Sequence, residues 1–83
     1  MKINIRKSAI KDLKNIDAKE RAKLHQKMLE LNKFPKISNV KKLTNFEPAY
    51  RLRVGDFRIL FDVTENSIEI GRILHRKTSY KKS

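Results

Sequence analysis

Residues 50–63 read YRLRVGDFRILFDV, and this stretch decides the fold. Tyr50, Leu52 and Val54 alternate with Arg51 and Arg53, which is the period of a strand with one buried face. Gly55-Asp56 follows as a two-residue turn, because glycine takes the positive φ that a tight hairpin needs. Phe57, Ile59, Phe61 and Val63 then alternate with Arg58 and Asp62. A two-residue loop fixes the register: Val54 faces Phe57, and Arg53 faces Arg58. Arg51 lies one step along on the same face, so three guanidinium groups converge there. Like charges directly opposed across a ladder are destabilising. An anion would relieve that repulsion, and arginine, forked and permanently charged, suits phosphate. The alternative is a strand surface that is merely basic and soluble.

Downstream, residues 64–67 (TENS) form a second turn, and Ile68 and Ile70 resume the strand. The alternation breaks at Gly71-Arg72 before Ile73 and Leu74, which predicts a bulge. Residues 75–83 read as a basic tail. Upstream, Ile3 and Ile5 predict a short strand. Ala9, Ile10, Leu13 and Ile16 then recur at three and four, predicting a short amphipathic helix. Asp17 with Glu20 resembles a capping box that opens a second helix over about 18–33, with Leu24, Met28 and Leu31 on one face. Pro35 ends the helical region, and residues 36–49 read as a connecting loop with room for one helical turn.

The expected fold is therefore α+β, in the order β-α-α-β-β-β. A helical hairpin packs on one face of a small, mainly antiparallel, four-stranded sheet, with the first strand joining antiparallel. Residues 1–83 make one domain.

Composition narrows the function. There are 21 Lys and Arg against 9 Asp and Glu, a net charge of +12, so the expected partner is a polyanion. No cysteine is present, which excludes a disulfide frame and a thiolate nucleophile. Apolar runs are too short to span a membrane, and no signal peptide is visible, so a soluble cytoplasmic domain is expected. Two glycines cannot build a phosphate loop. His25 reads as a surface or interhelical residue, and Asp12, Asp17, Glu20 and Glu30 as caps and ion-pair partners. Phe34, Phe46, Phe57 and Phe61 read as core residues and not as a base-stacking platform.

The hairpin at 50–63, together with the ending ILHRKTSY at 73–80, resembles the RelE/ParE toxin superfamily, whose strand–helix–helix–meander order also agrees. The resemblance implies the toxin of a type II toxin–antitoxin system. In its RelE branch that means a ribosome-dependent endoribonuclease, which directs the ribose 2′-hydroxyl at the adjacent phosphate without a metal or cofactor. Carried over by position, Arg51 and Arg53 match two basic sites of the first hairpin strand, and Arg58 matches a phosphate-stabilising arginine. Arg76 matches a C-terminal catalytic arginine, and Tyr80 a proposed general base. His75 stands where relatives carry histidine or lysine, and is the other candidate base. The best-known RelE members have lysines where Arg51 and Arg53 stand. Arginine stabilises charge there but is a poor proton carrier. The implied partners are a cognate antitoxin in a hetero-oligomer, the ribosome and mRNA. The same fold also serves ParE-like toxins that poison DNA gyrase. A non-catalytic basic RNA-binding module and a decayed toxin are the other readings.

Overall fold

A computed structural model describes residues 2–34, 36–37, 40–43 and 49–75 of the chain. Its elements run β1 (Lys2–Ile5), α1 (Lys7–Lys14), α2 (Ala18–Glu30), a 3₁₀ turn (Leu31–Lys33), β2 (Val40–Lys42), β3 (Tyr50–Val54), β4 (Phe57–Val63) and β5 (Ser67–His75). The five strands form one sheet in the order β1-β5-β4-β3-β2. The α+β class, the helical hairpin and the β3–β4–β5 meander are as expected from the sequence.

Two details differ, and they share one cause. Val40–Lys42, expected as loop, is a strand pairing antiparallel with β3 through Val40↔Leu52, Lys41↔Arg51 and Lys42↔Tyr50. The first strand, expected antiparallel, pairs parallel with β5 from Lys2↔Ser67 to Ile5↔Ile70. Every hairpin step reverses chain direction, so counting one strand too few inverts the inferred direction of β5 against β1. A three-residue edge strand carrying two lysines shows no period to read, and short, lysine-bearing edges are a common guard against edge-to-edge pairing.

The hairpin register is the expected one, with Arg53↔Arg58 and Val54↔Phe57. Gly55 sits at φ 59°, the left-handed region that the first position of a primed turn requires. The bulge is also where the alternation broke. Leu60 pairs with Arg72 and Phe61 with Ile70, so Gly71 is the extra, unpaired residue.

The core lies between the helices and one sheet face. Leu24, Met28 and Leu31 from the helical segment meet Leu52, Ile59, Phe61, Ile68 and Ile70, all nearly or wholly buried. Each such side chain contributes about 1.5–3 kcal/mol by leaving water. Phe34, Tyr50 and Phe61 form a ring cluster, Tyr50 stacked on Phe61 at 5.5 Å and Phe34 edge-on to Tyr50 at 5.2 Å. Phe46 lies outside the described residues. Of the α1 stripe, Ala9 and Leu13 are buried and Ile16 packs at the core margin, while Ile10 stays 43% exposed. Asp17 occupies the N-cap position of α2 but makes no side-chain capping bond, and Glu20 lies 4.0 Å from Lys23 instead. The turn between α1 and α2 is closed by Arg21, whose guanidinium donates to the Leu13 carbonyl at 3.3 Å.

Candidate functional site

Strand alternation turns Arg51, Arg53 and Arg58 away from the helix-covered core formed by Leu52, Val54, Phe57 and Ile59. Arg53 faces Arg58 directly, and Arg51 follows two residues before Arg53 along β3. Arg51 and Arg58 are half-buried and Arg53 is exposed. The added strand contributes a fourth cation that sequence reasoning missed, because Lys41 stands directly opposite Arg51. Leu60 and Leu74 share this face, opposite Arg51 and Arg58 respectively, and both are half-buried.

The same face changes sign at its other end. Asp62 pairs in register with Glu69, which stands beside Asn4. The Asp62 carboxylate accepts the Ala49 N–H at 2.7 Å. Glu69 accepts from Asn4 at 2.7 Å and from the Ser67 hydroxyl at 2.8 Å. Those two bonds hold the Glu69 carboxyl below its ordinary pKa. Arg51, Arg53, Arg58 and Lys41 therefore stand toward the turn end of this face, while Lys2 and Arg6 lie near Glu69 at the other end.

The outer half of β5 runs past the end of β1, which would leave backbone groups along its edge without partners. Helix α1 covers that edge with side chains four residues apart, one helical turn. The Ser8 hydroxyl donates to the Gly71 carbonyl at 2.6 Å, and the Asp12 carboxylate accepts the Ile73 N–H at 2.9 Å. Asp12 also takes the Arg72 guanidinium in a fork, from Nε at 2.8 Å and Nη2 at 3.0 Å. Burial works to raise the Asp12 pKa, but the bonds from Arg72 and Ile73 and the arginine charge outweigh it, so the carboxyl lies below its ordinary value. Arg72 is raised by the same bond. Sequence reasoning had Asp12 as a cap or ion-pair partner; its partner, 60 residues away, carried no local signal.

Beside this clamp lies an open concavity of about 210 Å³ between the end of α1 and β5. His75 reaches it from the end of β5. The register sets His75 opposite Phe57 and not on the arginine face, and its ring meets that of Phe57 edge-on at 4.9 Å. The site expected from sequence is thus placed in part: Arg51, Arg53 and Arg58 come together, and His75 takes the other side of its strand. Arg76 and Tyr80 lie outside the described residues. His25 is exposed on α2. Among the described residues no group of three or more His, Asp or Glu is placed to hold a metal ion, and no helix is long and apolar enough to cross a membrane.

Comparison with known proteins places this geometry among relatives. Residues 3–80 match the family model described as the ParE toxin of type II toxin–antitoxin systems. Toxin RelE3 of Methanocaldococcus jannaschii is 31% identical over 84 residues, covering 96% of each chain. The crystal structure of a RelB–RelE antitoxin–toxin complex from Methanococcus jannaschii superposes with a TM-score of 0.75 at 30% identity, over 93% of this chain and 94% of that one. The RelE–RelB complex from Pyrococcus horikoshii gives 0.75 at 23% identity, over 90% and 93%, a likeness of fold alone.

Proposed function

The chain belongs to the ParE toxin family of type II toxin–antitoxin systems, and from that premise we propose that it is a RelE-type toxin that cleaves messenger RNA on the ribosome. The observation that carries this reading is the Arg53–Arg58 pair, two like charges held face to face with Arg51 and Lys41 alongside. Like charges directly opposed across a ladder repel, which an anion between them relieves. A phosphodiester is such an anion, and its pentavalent transition state carries more negative charge than the ground state. Cations oriented beforehand stabilise the former more than the latter.

In the proposed reaction the 2′-oxygen forms a bond to the adjacent phosphorus and the P–O5′ bond breaks. The products are a 2′,3′-cyclic phosphate and a free 5′-hydroxyl. Arg58, Arg53 and Arg51 neutralise the phosphate oxygens as charge builds, with Arg76 as a further cation. Tyr80, as phenolate, removes the 2′-hydroxyl proton, and a water molecule gives the departing 5′-oxygen its proton. A phenol with a reference pKa near about 10 is a weak base at neutral pH, and neighbouring guanidinium groups favour its ionised form. His75 is the other candidate base. Its position opposite Phe57, off the arginine face, supports Tyr80 in that role. The sequence is an internal transesterification, so no cofactor is required, and the ribosome supplies the positioning that a chain of 83 residues cannot.

The RelB–RelE pairing of the solved relatives supports a cognate antitoxin partner for this chain, held by its +12 charge and basic face. A second reading, a gyrase poison, is favoured by the family model's own description as a ParE toxin. One experiment separates the two. The purified chain is added to a translation extract, with primer extension on the message, and in parallel to gyrase acting on plasmid DNA. Cuts that require ribosomes support the proposal. Intact message with gyrase-linked DNA breaks would replace it with the second reading.

A further inference from the structure

The concavity between α1 and the outer half of β5 holds none of the arginines assigned to the phosphate. At about 210 Å³ it falls below the roughly 300–1,000 Å³ of drug-sized sites, so it suits a single flat ring. Ile16, Phe57, Ile73 and Leu74 give it apolar walls, and Asp12 with Arg72 forms its polar side. The fork from Asp12 fixes the plane of the Arg72 guanidinium through Nε and Nη2, yet 49% of the Arg72 side chain stays exposed. A planar cation pinned along one edge and open elsewhere is a stacking surface for a heteroaromatic ring. The site also adjoins the arginine face, because Leu74 in its wall stands directly opposite Arg58. Opposed residues lie about 5 Å apart, a separation that one nucleotide spans between its phosphate and its base.

We propose that this concavity is a nucleobase subsite. It seats the base of a nucleotide flanking the phosphate held by Arg53 and Arg58, stacked on Arg72 and against Leu74. Asp12 is the positioning residue that keeps the guanidinium flat. The inference rests on the reading of the arginine face as an RNA phosphate site, and adds to it a place where the base itself is felt.

Fluorescence anisotropy on the purified chain tests it. The probes are a labelled single-stranded oligoribonucleotide and a ribose–phosphate oligomer of equal length that lacks the bases. The wild type binds the base-bearing probe about 5- to 150-fold more tightly, the range expected for one stacked base. Arg72→Lys keeps the charge but loses the forked plane, and removes most of that preference while affinity for the baseless probe holds within about twofold. Leu74→Thr, at a half-buried wall position, reads the same effect if Arg72→Lys fails a thermal-unfolding check. Equal binding of the two probes by the wild type overturns the subsite and leaves the phosphate reading standing. So does a preference that survives in both folded variants, which would put the base elsewhere. Binding of neither probe overturns the phosphate reading and the subsite together.

Discussion

Arg53 and Arg58 stand opposite one another on the uncovered face of the sheet, an arrangement suited to phosphate. Arg58→Ala removes one of two opposed like charges from a position that points away from the core. Its stability, read from the urea midpoint, is expected to change by no more than about 0.5 kcal/mol, while growth inhibition on expression is lost. A strongly destabilised variant would show that the strand faces are misassigned. Tyr80→Phe keeps the ring and removes the ionisable group, so single-turnover cleavage on programmed ribosomes should fall by about 10²–10⁴-fold. If that change is silent and His75→Ala is crippling, the base is His75. The arginine pair was legible in the sequence because Gly55-Asp56 leaves a two-residue loop only one register. Lys41 was not, since nothing local marks a strand of three residues, and Asp12 was legible as an ion-pair residue but not by its partner, which lies across the fold.

At the scale of elements, α1 stands in for a strand along the exposed edge of β5 through Ser8 and Asp12. The folded-state pKa of Asp12 lies below its ordinary value of 3.8. The carboxylate therefore contributes stability that is fully present above that value and is lost as pH falls through the folded pKa. Asp12→Ala leaves the Ile73 N–H and the Arg72 guanidinium without their acceptor and should cost about 2 kcal/mol at pH 7. That difference should shrink toward zero in urea unfolding at pH 2, and a penalty equal at both pH values would contradict the clamp. The bulge is the second device. Gly71 is the extra residue of β5, and it sets Arg72 and Leu74 opposite Leu60 and Arg58 on the arginine face, where unbroken alternation from Ile70 would turn them toward the core. The broken alternation at Gly71-Arg72 announced this feature, whereas the parallel pairing of β1 stayed hidden, because it depends on the number of reversals between the first strand and the last.

At the scale of the whole molecule, a +12 chain that sets Arg51, Arg53, Arg58 and Lys41 together on an uncovered sheet face is suited to meet a polyanion. Ribosome association should weaken steeply as salt rises, since the attraction rests on many exposed charges. The most direct test of the central claim is the chemistry of the ends left on ribosome-bound message after exposure to the purified chain, compared with Arg58→Ala. Upstream fragments should end in 2′,3′-cyclic phosphate and downstream fragments in a free 5′-hydroxyl, produced by the wild type only when ribosomes are present and not by Arg58→Ala. Fragments with 5′-phosphate ends, or equal cleavage by Arg58→Ala, would contradict it.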